Sequence, residues 1–196
     1  MADRRPRMTA NAQRLNAGTG EVPNDATLRL FFALWPAHAL RAQMVSHMAL
    51  WRFMPPTKPT LPDKLHLTLL FMDGVAGARL QALLRIGARV AQAEQPFELR
   101  LDQAEVWAQG GIAHLAPAHV PRQLLALCEA LKLAAVNAEI NCDQRPFRPH
   151  VTLARRARAK DVPQDFAPVS WNVGQLALVR SILGSGRYVV LARWRL

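Results

Sequence analysis

The 196-residue chain is short of several things, and each shortage excludes a class of protein. It has two cysteines, Cys128 and Cys142, and no Cys-x-x-Cys spacing, which argues against a disulfide-stapled scaffold or a cysteine-based zinc site and fits a reducing compartment. No apolar run approaches the ~20 residues needed to cross a bilayer, and the first 26 residues hold no apolar stretch of signal-peptide length. A cytoplasmic protein without a membrane partner is expected. Acidic residues are scarce: 14 Asp and Glu face 25 Lys and Arg, leaving a net charge of +11. Lysine is scarce within that excess, with four lysines against 21 arginines. Guanidinium groups bind phosphate bidentately, so the balance suits a nucleic-acid partner, although an Ala- and Arg-rich chain also arises from a G+C-rich genome.

What is present argues for a folded cation. With 51% hydrophobic and 20% charged residues the chain can bury a core, and its length allows one domain or two small lobes sharing one. Residues 1–26 carry four arginines against three acidic residues, so nearly all of the excess charge lies beyond them. That segment is expected to be a disordered, non-catalytic extension, with a single folded unit over residues 27–196.

Leu28–Trp35 is an apolar and aromatic run stopped by Pro36, the pattern of a buried strand. From Ala37 to Trp51 the period changes, and Leu40, Met44, His47, Met48 and Trp51 form a helical stripe. A proline-rich loop follows, then a strand over Leu65–Met72 closed by an Asp73-Gly74 turn, then a helix with Leu80, Leu83, Leu84, Gly87, Val90 and Ala91 on one face. The second half repeats the order. Phe97–Trp107 and Ile112–Ala116 read as strands joined across Gly110-Gly111, Pro121 starts a helix, His150–Ala154 is a strand, and Trp171–Ile182 with Arg187–Trp194 forms a final pair. The expectation is a duplicated, bilobal α+β fold, with two small antiparallel sheets flanking a central cleft and helices on the outside.

Two of these strands carry the same tetrapeptide pattern, His66-Leu67-Thr68-Leu69 and His150-Val151-Thr152-Leu153. Side chains alternate along a strand, so each motif presents an imidazole and a hydroxyl on one face while its aliphatic residues point to the other. With six histidines and seven threonines in the chain, two such coincidences would arise by chance in about 2% of sequences of this composition. A metal site would need a third ligand at suitable spacing, and neither strand offers one, whereas zinc takes three or four protein ligands. In-line phosphoryl transfer fits better. One imidazole takes a proton from water, the other gives one to the leaving oxygen, and threonine hydroxyls with a basic rim hold the phosphate oxygens. No metal or cofactor is required.

These motifs, with RLFFALWP (29–36), HLTLLFMDGV (66–75), FRPHVTLAR (147–155) and the end LVRSILGSGRYVVLARWRL (178–196), resemble the two-histidine (2H) phosphoesterase superfamily. Within it the similarity is to the RNA 2′,3′-cyclic phosphodiesterases, historically called 2′-5′ RNA ligases, and covers roughly residues 28–196. The resemblance implies a bilobal fold and hydrolysis of a 2′,3′-cyclic phosphate on RNA or a nucleotide to a 2′-phosphomonoester. It implies His66 as proton donor to the 3′ leaving oxygen, His150 as the base on water, and Thr68 and Thr152 as phosphate ligands.

Around the second motif, Arg145, Arg148, Arg155, Arg156, Arg158 and Lys160 crowd into 16 residues. Strand parity puts Arg148 and Arg156 on the His150 face, unless Pro149 bends the chain, and Arg155 on the other, so Arg148 and Arg156 are the phosphate candidates among them. Phe31, Phe32 and Trp35 are either core or a base-stacking surface. His38, His47, His114 and His119 lack a threonine partner and are expected to be structural or superficial. Two alternatives to hydrolysis stand: joining of tRNA halves through a 2′-5′ bond by the same two histidines, and a non-catalytic RNA-binding module using them as a phosphate clamp. A monomer is expected.

Overall fold

The structure, a computed structural model, describes residues 23–196. The extension expected at residues 1–26 lies, as far as residue 22, outside the described residues. Residues 23–26 are already tied to the fold, with the Gly77 N–H donating to Ala26 O at 2.8 Å and the Ala78 N–H to Asn24 O at 3.2 Å.

The apolar run of the first strand has no polar face because both of its faces are covered. Strand β1 (Thr27–Leu34) lies inside the main sheet, paired antiparallel with β3 (Leu67–Ala76) on one side and β9 (Gln175–Ile182) on the other. Leu28, Leu30, Phe32 and Leu34 point into the main core, while Phe31, Ala33 and Trp35 join Ala177 and Val179 in a second cluster on the opposite face. Beyond β9 the sheet ends in β10 (Arg187–Arg195). Past β3 come β7 (Val151–Arg155), β6 (Ile112–Ala116) and β5 (Gln103–Trp107), with the short β2 (Lys58–Pro59) on the far end of β7.

The two small sheets expected from the sequence are therefore the two halves of one antiparallel sheet, and they meet at a single registered pair, Leu67 opposite Val151. A further two-stranded sheet is made by β4 (Phe97–Leu101) and β8 (Val169–Val173). The continuous strands expected at 97–107 and 171–182 are each divided between sheets. The break at Asp102 is held by its own groups, since its N–H donates to Ala116 O at 3.1 Å and its carboxylate accepts from the Ala118 N–H at 2.7 Å. The other break falls at Gly174, between β8 and β9. Uniform apolar alternation reports neither switch.

Strand β3 runs through Asp73-Gly74 rather than turning there. Arg29 alone opposes the two residues Asp73 and Gly74, so the pair forms a bulge, with Gly74 at φ +69°. The Asp73 carboxylate receives the Arg29 guanidinium at 3.0 Å and the Gly74 N–H at 3.1 Å.

Helices α1 (His38–Met48), α2 (Leu80–Ala93) and α3 (Arg122–Asn137) match the expected stripes. Helix α2 buries Leu83, Ile86, Gly87, Val90 and Ala91, and α3 buries Leu124, Leu127, Cys128, Leu131 and Ala135, all on the main-core side. Gly87 lies flat against the Trp194 ring, where any Cβ would collide. Helices and core thus occupy one side of the sheet and leave the other for the motifs. Among the described residues no helix is long and apolar enough to cross a membrane.

Candidate active site

Each motif begins one residue before its strand, His66 ahead of β3 and His150 ahead of β7. Leu67 and Val151 are fully buried in the main core, so their neighbours His66, Thr68, His150 and Thr152 face the other side. An antiparallel pair centred on Leu67 and Val151 is locally two-fold symmetric, and its register sets each motif's histidine beside the other motif's threonine. Each motif presents its imidazole and hydroxyl on one face, as alternation along the strand predicts, and the two motifs lie side by side on neighbouring strands.

Both rings are locked in the same way. Nδ1 of His66 lies 2.6 Å from Lys64 O, and Nδ1 of His150 lies 2.7 Å from Arg148 O. A carbonyl only accepts, so Nδ1 carries the hydrogen in each ring and Nε2 is left for proton exchange. In the neutral ring His66 Nε2 accepts from Thr68 Oγ1 at 3.1 Å.

The surroundings of the two rings differ. Trp35 stacks on His66 at 5.3 Å between centroids and 16° between planes, Phe31 lies at 4.9 Å, and Tyr188 meets it edge-on at 5.4 Å. This apolar box disfavours the charged ring. Burial pulls the His66 pKa down to about 4, the Lys64 carbonyl opposes that pull, and the His150 charge adds to it. His150 is also lowered, first by burial, then by His114, Arg148 and Arg155, with the Arg148 carbonyl opposing. Against it stands Trp107, at 4.5 Å from its ring, with the Arg148 guanidinium over the indole at 4.5 Å.

Phe32 is fully buried with Trp194 in the main core, so of the three aromatics offered for base stacking only Phe31 and Trp35 lie on the motif face, where both are themselves buried against His66. Strand parity breaks before β7 ends, because the ladder to β6 shifts register between Ala113 and His114 and the consecutive residues Leu153 and Ala154 are both buried in the main core. Arg156 has φ +57° and turns out of the strand, its N–H donating to Gly110 O at 3.2 Å and its carbonyl accepting from Thr57 Oγ1 at 3.2 Å. Of the two expected cations, the charge of Arg148 acts on His150, and so does that of Arg155, which strand parity assigned to the other face. His38 and His119 are exposed, and His47 is buried, accepting from Trp51 Nε1 at 3.2 Å. His114 was passed over by sequence reasoning because it has no threonine two residues on. Its threonine is across the ladder, for His114 pairs with Thr152. Among the described residues no group of three or more His, Cys, Asp or Glu is placed to hold a metal ion.

An α+β protein whose antiparallel sheet brings two His-x-Thr motifs side by side, both rings locked through Nδ1, has the architecture of a two-histidine phosphoesterase. Comparison with known proteins points the same way. The family model of the 2′-5′ RNA ligase superfamily matches residues 35–184. The RNA 2′,3′-cyclic phosphodiesterase of Escherichia coli is 34% identical over 86% of this chain and 96% of its own length. That of Thermus thermophilus is 35% identical over 80% of this chain and 83% of its own. The crystal structure of E. coli LigT with 3′-AMP superposes with a TM-score of 0.74 and 31% identity, covering 87% of this chain and 99% of that one. The chain belongs to the 2′-5′ RNA ligase superfamily.

Proposed function

We propose that this protein is a metal-independent enzyme that hydrolyses the 2′,3′-cyclic phosphate of RNA or of a nucleotide to a 2′-phosphomonoester, as the names of its bacterial relatives suggest. The observation that carries the reading is the pairing of Leu67 with Val151, which brings two Nε2-presenting imidazoles to one face. The scissile phosphate lies between them. His150, held neutral near pH 7, takes a proton from water as its oxygen attacks phosphorus. The P–O3′ bond breaks, His66 gives its proton to O3′, and the phosphate stays on O2′. His66 needs that proton beforehand. The anionic phosphate supplies the charge that raises its pKa, offsetting the apolar box. Once Nε2 is protonated, Thr68 Oγ1 becomes its acceptor and is free to turn its own hydrogen to a phosphate oxygen. Thr152, Arg148 and Arg156 complete the proposed phosphate set. The charge of Arg155 also reaches His150 and adds to the basic rim.

The catalytic unit is residues 27–196 with its hydrogen-bonded entry segment, acting as a cytoplasmic monomer. The test is incubation with an RNA ending in a cyclic phosphate. A 2′-phosphate product supports hydrolysis, and a joined product would favour 2′-5′ ligation by the same groups. Binding without turnover, unchanged in a His66→Ala, His150→Ala double variant, would favour a non-catalytic RNA-binding module.

A further inference from the structure

We propose that His114 is a positioning residue for His150, walling the base on the side away from the substrate and carrying the influence of Glu105 to it. Its placement follows from the ladder. In β6, His114 lies directly between Glu105 of β5 and Thr152 of β7, and cross-strand partners share a face, so the three form one row on the motif side of the sheet. The ring is 1% exposed. Its Nδ1–H donates to Ile112 O at 3.1 Å, the same lock to the carbonyl two residues back that holds His66 and His150. Its Nε2 lies 3.9 Å from Glu105 Oε2. The ring meets His150 edge-on, 5.7 Å between centroids and 80° between planes, and Trp107 closes the corner at 4.3 Å from His114 and 4.5 Å from His150. His150 is therefore braced by two rings, of which His114 is itself locked to the backbone.

The row also has a charge consequence. The groups acting on His150 are His114 from β6, with Glu105 behind it on β5, Arg148 on its own lead-in and Arg155 at the end of β7, and His66 of the first motif feels the His150 charge in turn. Of the three charges that act on His150 directly, only His114 is gained or lost in the acid range, since arginine stays protonated. Burial pulls the His114 pKa down, and its backbone partner and Glu105 push it back up. As pH falls, a proton entering the Glu105–His114 pair discourages a second on His150, which keeps the base available further into acid.

This inference rests on the acid–base role of His150, so its test has a readout that does not need activity: the midpoints of the histidine ring signals followed by NMR in the folded protein. In His114→Phe, which keeps a ring in the wall, the His150 midpoint should rise by about one pH unit, and the acid limb of kcat/KM on a cyclic nucleotide should rise with it while KM stays unchanged. His114→Ala, which also removes the wall, should in addition lower kcat about tenfold. Glu105→Gln, on an exposed side chain, should lower the His114 midpoint and raise that of His150 slightly, and it carries the test if His114→Phe does not fold. A His150 midpoint unmoved in His114→Phe, or in Glu105→Gln where that variant carries the test, would overturn the proposal. Coupled midpoints in a protein that turns over no cyclic phosphate would leave the coupling standing and refute the catalytic reading instead.

Discussion

The box around His66 should cost the free protein stability in acid. Phe31, Trp35 and Tyr188 surround a ring whose pKa burial brings from 6.5 to about 4. In the unfolded chain the same ring titrates near its ordinary value, so between pH 6.5 and 4 the unfolded state binds the extra proton. Stability from this group is therefore fully present above pH 6.5, declines as pH falls toward 4, and levels off below. The gap between the two pKa values corresponds to about 3 kcal/mol, a sizeable part of the roughly 5–15 kcal/mol that holds a typical domain folded. Carboxylates titrate in the lower part of the same window, and His47, His114 and His150 are also lowered by burial, so the useful quantity is a difference between proteins. Urea unfolding of the wild type and of His66→Gln, from about pH 7.5 to about pH 4.5, isolates it. The variant cannot protonate in this range and should lose about 2–3 kcal/mol less across it. Phosphate in the buffer should recover stability in the wild type and little in the variant, because an anion between the motifs stabilises the protonated ring. Parallel stability curves for the two proteins would refute the buried, uncharged state of His66 and with it the need for substrate to charge the acid.

Other consequences are simpler to read. His66→Ala and His150→Ala should each lower kcat on a cyclic-phosphate substrate by about 10²–10⁴, the usual worth of a positioned acid or base, whereas Thr68→Val and Thr152→Val should cost less; a fully active His150→Ala would remove the base assignment. Activity should survive EDTA, and complete loss restored by zinc would end the metal-free reading. Gly87→Ala should destabilise the fold by about 1–3 kcal/mol in thermal or urea unfolding, because the added methyl meets the Trp194 ring and overpacking outweighs the ~1 kcal/mol that alanine ordinarily adds to a helix. Gly111→Ala should also destabilise and lower kcat, since Gly111 has φ +59° and its Cβ would press on Ala157 N at 2.9 Å, loosening the loop that anchors the end of β7; an unchanged kcat would separate that anchor from the site.

The amino-acid sequence by itself determined the pieces. Two His-x-Thr motifs, strand and helix periods in a repeated order, and apolar residues at Leu67, Leu69, Val151 and Leu153 were legible because alternation and helical spacing are local properties. They sufficed to name His66, Thr68, His150 and Thr152 and a chemistry for them. The tertiary structure decided which strands became neighbours. A period of two says which face a side chain takes but not what lies across the ladder, so the His114–Thr152 pair and its tie to Glu105 could not be read from the chain. Parity also fails where a strand stops. Arg156 turns out of line after Arg155, and the strands expected at 97–107 and 171–182 change sheets at Asp102 and Gly174, both through backbone geometry that side-chain pattern does not record. Counting along the chain located the densest run of the charge excess at residues 145–160, around the second motif, and the fold placed Arg148 and Arg155 of that run within reach of His150.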